Sequence, residues 1–183
     1  GQADLVTGEK RYVEALRRIW VEWLDSESDG EAMILTTWRS LDVGIRLKTW
    51  VKVLDLLDID ADGVFDEAFL KRVVASLADQ CRYQLKHHDP NQVQSNWFML
   101  AFHGVYIAAR FFPQLPEAAA WQQQALAILH ECASLQLMTD GMHWEQAFMY
   151  HHEVMINLSE TYQMGMRNGD ANRVADFVPV IAR

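Results

Sequence analysis

The block from Leu135 to Val154, LQLMTDGMHWEQAFMYHHEV, gathers the side chains best able to do chemistry. Tyr150 and His151 are adjacent groups that can move a proton, and Glu145 and Gln146 are suited to holding sugar hydroxyls. Glu145 and Tyr150 stand rather more than one helical turn apart, so they flank the same end of a helix without stacking. A helix with one polar edge accounts for the same residues. Asn96 has two readings as well. It can cap the helix that follows by accepting a backbone N–H, or Ser95 can do so and release the Asn96 carboxamide.

Metal chemistry finds little support. Asp58, Asp60, Asp62 and Gly63 begin like a calcium loop, but its twelfth position needs a bidentate Glu and falls on Phe69. An acidic turn between helices is the better reading. His87-His88 and His151-His152 are adjacent pairs, which diverge on a helix. His143-Trp144-Glu145 matches half of a zinc deaminase pattern, and no Pro-Cys-x-x-Cys follows. No metal and no cofactor is expected. Cys81 and Cys132 read as packing residues, and two cysteines cannot make a disulfide scaffold.

The elements that must position these groups are helices. The chain has 183 residues, 50% hydrophobic and 22% charged, which fits one ordinary domain or a piece of a larger one. A net charge of −9 argues against nucleic acid on a basic face. No apolar run is long enough to cross a membrane, and no basic stretch followed by an apolar block marks a signal peptide. Apolar periodicity predicts a first helix over 13–24 and a second over 39–57, the latter buried on more than one side. Further helices are expected over 65–86 and from Asn96 to Phe112. A fifth has Pro116 in its first turn and Asp140-Gly141 at its close, and a sixth runs from about Trp144 to Met166. Asn168-Gly169 forms a left-handed cap, and Pro179 breaks the tail. The fold class is all-α. Trp38, Trp97 and Trp144 recur at or just before helix starts, roughly fifty residues apart. This suggests an (α/α) hairpin array, an incomplete toroid, whose even-numbered inner helices gather their N-termini at one mouth. A plain bundle with tryptophan as core filler remains the alternative.

The stretch from Ser95 to Val154 resembles the helical domain of the heparinase II/III-like polysaccharide lyases. The resemblance rests on Asn96, Phe112-Pro113, Trp121, Gln136, Asp140-Gly141, Glu145 and Tyr150-His151 in that order, and extends over about Leu35 to Met166. The family usually has Ser-Pro where this chain has Ala147-Phe148, and often His where it has Trp97.

The resemblance implies β-elimination on a uronate-containing polysaccharide, heparan-like or alginate-like. Asn96 would hydrogen-bond the substrate carboxylate while the C5 proton leaves, and Tyr150 would act as base, acid or both. A phenol ordinarily ionises near pH 10, so nearby positive charge must assist it. Substrate contacts are expected from Trp38, Arg39, Trp97, Trp144, Glu145, Gln146 and His151. Other candidate cations are Arg46, Lys86, His87, His88 and Arg110. In the family a histidine from a β-rich domain completes the site, with His103, His143 and His151 as weak substitutes here. Residues 1–183 are therefore expected to form a single helical domain of a larger lyase, inactive alone and periplasmic or extracellular. Its partners would be an acidic polysaccharide or oligosaccharide and the missing β-rich domain, with no nucleic acid and no membrane. Two alternatives stay open. One is an (α/α)-toroid glycoside hydrolase on uronic-acid oligosaccharides, which needs two carboxyl groups across the sugar. The other is a non-catalytic helical-repeat interaction module.

Overall fold

The computed structural model describes residues 7–26, 37–57 and 63–182. Among them six long helices alternate with short connections: α1 (Lys10–Ser26), α2 (Ser40–Leu56), α3 (Glu67–His87), α4 (Asn96–Phe111), α5 (Ala118–Gln136) and α6 (Phe148–Arg167). Two short helices, α7 (Ala171–Val174) and α8 (Val178–Ile181), close the chain. No strand forms among the described residues, only an isolated antiparallel bridge between Leu137 and His143. The Asp58–Asp62 segment lies outside the described residues.

Helix α4 is the centre of the array. It is buried along nearly its whole length: every residue from Phe98 to Ala109 except Leu100 is buried, with α2, α3, α5 and α6 packed around it. The approach of α2 to α4 is set by backbone, not side chains. A Cβ on Gly44 would collide with the Ala101 Cα and lie 2.6 Å from the Leu100 carbonyl oxygen. A Cβ on Gly104 would likewise meet the Gly44 carbonyl and lie 2.8 Å from its Cα. Only hydrogen at both positions permits this crossing. The hydrophobic residues around it do the ordinary work of the core. Trp20 packs on Trp50 at 4.9 Å between ring centroids, with Phe65 and Phe69 beside it. Burying each such side chain contributes roughly 1.5–3 kcal/mol.

Several helix ends differ from the periodicity. Helix α5 begins at Ala118, and Pro116 lies in the turn before it. Pro179 starts α8 instead of breaking the tail, since its missing N–H is harmless in a first turn. The C-terminus of α6 is capped as expected: Gly169 has φ +79°, and the Asp170 N–H reaches back to the Gly165 carbonyl at 2.9 Å. The largest difference is at the other end of α6. Residues 144–147 are not helical, and the helix starts only at Phe148. The preceding segment is held by contacts to α4 that a helix would forbid.

Candidate functional site

The N-terminal turns of α2, α4 and α6 converge on one cleft of about 350 Å³. Helix α2 contributes Leu41, Gly44, Ile45 and Lys48, a stripe at helical spacing. Helix α4 contributes Asn96, Trp97 and Leu100, and α6 contributes Met149, Tyr150, Glu153 and Asn157. Asn96 and Tyr150, far apart in sequence, thus share a cleft, with Tyr150 43% exposed. The cleft runs beside the first turns of these three helices, so their positive N-terminal ends lie at its border and favour negative charge there.

Ser95 caps α4, its hydroxyl accepting the Trp97 N–H at 3.2 Å, and this leaves the Asn96 side chain for another contact. That contact is Glu145. Both carboxylate oxygens lie 2.9 Å from Asn96 Nδ2, and Oε1 also accepts the Asn96 backbone N–H at 3.3 Å. The two oxygens of one carboxylate sit too close together to take one each of the diverging amide N–H bonds. They share a single N–H, and Glu145 does not take the second; Asn96 itself is among the residues lining the cleft.

Glu145 is held in place by the segment that carries it. After α5 the chain makes a tight hairpin, with the Met138 N–H donating to the Met142 carbonyl at 2.9 Å and Gly141 at φ +86°. Gln136 Nε2 donates to the Val93 and Ser95 carbonyls at 2.6 and 2.9 Å, and Trp144 Nε1 donates to the Gln94 carbonyl at 2.5 Å. Together with Glu145 these contacts fasten four consecutive backbone positions, 93–96, at the entry to α4. His143 completes the fastening. Its Nδ1 accepts the Glu145 N–H at 3.3 Å, so in the neutral ring Nε2 carries the proton and donates to Gln136 Oε1 at 3.3 Å. Burial lowers the His143 pKa, Glu145 opposes that shift, and His151 adds to it.

The remaining expected site residues divide. Trp97 and Trp144 are 44% and 45% exposed and remain available to a sugar face. Trp38 is not: it is 7% exposed and packs edge-on against Tyr83 at 4.8 Å, so it belongs to the core. Arg39 stands at the rim, 5.0 Å from the Trp97 ring and paired with Asp42 at 2.8 Å. Gln146 is exposed with φ +53°, donates its N–H to the His143 carbonyl at 2.9 Å and turns the chain. His151 is half-buried beside Tyr150, outside the cleft lining. Neither His103 nor His143 lines the cleft, and both are fully buried. Arg46 is occupied by Gln80 Oε1 at 2.7 Å and the Thr37 carbonyl at 2.9 Å, and Arg110 by Asp170. Lys86, His87 and His88 stand at the C-terminal end of α3, near the start of α4 but outside the cleft lining, with His87 stacked on Tyr83 and His88 against Phe98 and Phe102. Among the described residues no group of three or more His, Cys, Asp or Glu is placed to hold a metal ion.

Sequence reasoning passed over Lys48. Its side chain is 18% exposed, its ammonium donates to Asn157 Oδ1 at 3.2 Å, and Glu160 Oε2 lies 3.6 Å away. Glu160 Oε1 is taken by Lys52. The signal was available in the helical spacing of Leu41, Gly44, Ile45 and Lys48, which places one cation on the same stripe as three apolar residues.

The Heparinase II/III N-terminus family signature matches residues 1–182. The chain belongs to that family. A heparin-sulfate lyase of Bacteroides thetaiotaomicron is 22% identical over 179 residues, covering 97% of this chain and 24% of that protein. A heparin-sulfate lyase of Bacteroides stercoris is 22% identical, covering 92% of this chain and 28% of its own length. The chain thus spans about a quarter of the curated relatives it matches. Among solved structures, heparinase III superposes with a TM-score of 0.83 at 20% identity, over 98% of this chain and 27% of that one. Heparan sulfate lyase HepC from Pedobacter heparinus gives 0.79 at 20% identity, over 98% and 28%. The fold is therefore the α/α hairpin array of the heparinase II/III helical N-terminus, and the plain-bundle alternative falls.

Proposed function

We propose that this chain is the helical part of a polysaccharide lyase that cleaves uronate-containing polymer by β-elimination, with heparan-type chains as the favoured substrate class. The observation that carries the reading is the shared cleft of Asn96 and Tyr150 at three converging helix N-termini. In the reaction a base removes the C5 proton, the electron pair forms the C4–C5 double bond, and the glycosidic C4–O bond breaks as its oxygen is protonated. The opposing factor is the carboxylate beside C5, already negative. The free N–H of Asn96 meets that carboxylate and lets charge move into it as the proton leaves. Tyr150 exchanges protons with C5 or the leaving oxygen. Lys48 and the helix termini supply the positive field in which developing charge is stabilised. Trp97 and Trp144 offer faces for sugar rings.

A glycoside hydrolase needs two carboxyl groups free to act across the sugar. Glu145 is engaged by Asn96, which leaves Glu153 as the carboxylate lining the cleft and favours the lyase. The β-rich domain implied by the resemblance, and an extracytoplasmic location, belong to the same proposal. In the longer lyase, Asn96→Ala and Tyr150→Phe are each expected to lower the formation of unsaturated product at least about a hundredfold while oligosaccharide binding persists. Unchanged turnover in either variant overturns the reading. The chain alone is expected to bind without turnover, and new ultraviolet absorbance from it would remove the need for a second domain.

A further inference from the structure

We propose that Lys48 reads the acid group of the sugar, donating from the cleft floor to a carboxylate or sulfate oxygen. The inference rests on the lyase reading and names a group that reading does not require. Lys48 is the only cation among the described residues lining the cleft.

Its donors are not exhausted. An ammonium has three N–H bonds. One goes to Asn157 Oδ1 at 3.2 Å, and the Glu160 oxygen at 3.6 Å lies beyond ordinary hydrogen-bond reach. Asn157 is itself oriented, since its Nδ2 donates to the Glu153 carbonyl at 2.5 Å and so turns Oδ1 toward Lys48. The ammonium is thus held at the cleft with donor capacity in hand.

One carboxylate, Glu160, serves two lysines beneath the cleft, Lys48 and Lys52, and Lys52 is its closer partner. His103, 3.5 Å from the same carboxylate, is kept neutral by burial and by the two lysines. Elsewhere the cleft is acidic, with Glu153 in its lining and Glu145 against Asn96. Without Lys48 those carboxylates would repel a polyanion, leaving the helix termini and the Asp42-paired Arg39 at the rim to attract it.

The test titrates the 183-residue chain with two tetrasaccharide probes at low salt, one unsulfated uronate–hexosamine and one sulfated. Lys48→Met is expected to weaken binding about tenfold or more, and Lys48→Arg to recover most of the loss. Lys71→Met on the outer face of α3, which changes net charge equally, is expected to leave binding unaltered. Loss with both probes assigns the contact to the carboxylate, and loss confined to the sulfated probe assigns it to sulfate. If Lys48→Met binds as tightly as Lys71→Met, the inference is wrong and the lyase reading stands. If the wild-type chain binds neither probe, both fall. The Lys48 Cε–Hε resonance of the wild-type chain provides a reading free of substitutions: it shifts on addition of the bound probe, and a static signal counts against the contact.

Discussion

Both oxygens of the Glu145 carboxylate lie 2.9 Å from the carboxamide nitrogen of Asn96, and one of them also accepts the Asn96 backbone N–H. Glu145 is thus a cap supplied to α4 from a distant segment, with a negative charge at a helix N-terminus. Removing it strands an amide that is only 6% exposed. Glu145→Ala is expected to cost about 1–3 kcal/mol in urea denaturation, and Glu145→Gln less because one acceptor oxygen remains. In a longer chain with the proposed lyase activity, the alanine variant should lose turnover more than binding. Equal stability of wild type and alanine variant would show the contact to be idle.

The fastening of the hairpin predicts a pH dependence. Burial holds the His143 pKa below its usual range, while the unfolded chain titrates near pH 6.5. Above that value neither state binds the proton and stability is complete. As pH falls below about 6.5 the unfolded chain takes up a proton the folded one resists, so stability declines, by up to about 1.4 kcal/mol per pH unit for each such histidine. His103 acts in the same direction. His143→Gln should flatten the decline measured by denaturation at about pH 7.5 and pH 5.5. A slope identical to wild type would remove His143 from this account.

The α2–α4 crossing predicts an intolerance to the smallest side chain. Gly44→Ala and Gly104→Ala each place a Cβ against backbone that cannot rotate away. Either should cost at least about 1–3 kcal/mol and weaken oligosaccharide binding as the helix ends separate. Thermal melting and a titration on the same samples check both effects, and an alanine variant with native melting temperature would contradict the geometry.

The tryptophans should separate by experiment. Trp38→Ala empties a core position and is expected to cost about 3–5 kcal/mol. Trp97→Ala removes a half-exposed ring and should change stability little while weakening binding of the uronate probe. Calorimetry and titration distinguish the two, and matched losses of stability would place both rings in the core.

The helices were legible because apolar periodicity records burial. Burial on more than one side was expected of 39–57, however, where α2 buries a single stripe of Val43, Gly44, Leu47, Trp50, Val51 and Leu54 and exposes Ile45 and Leu56. It belongs to α4 instead. The meeting of Asn96 and Tyr150 in one cleft was legible only through the ordered motifs around them, since neither residue alone points to the other. The start of α6 was not legible. Residues Trp144 to Ala147 have helical composition, but their backbone follows the contacts of Trp144 and Glu145 to residues 94 and 96, and local propensity carries no record of those. Trp38 misled for a related reason: the three tryptophans share a sequence position relative to helix starts, yet one faces Tyr83 and two face outward. Lys48 was hidden because its significance depends on which neighbours share its counter-ion.

The glycine contact between α2 and α4 has one more consequence, for selectivity. Two main chains in direct apposition leave no rotamers to adjust, so that side of the cleft behaves as an anvil. The opposite jaw, the first turn of α6 with Phe148 and Met149 at 79% and 71% exposure, has loosely surrounded side chains. On the proposed function, accommodation of different sugars falls to the α6 jaw, and variants that broaden or narrow the range of polymers accepted should map there.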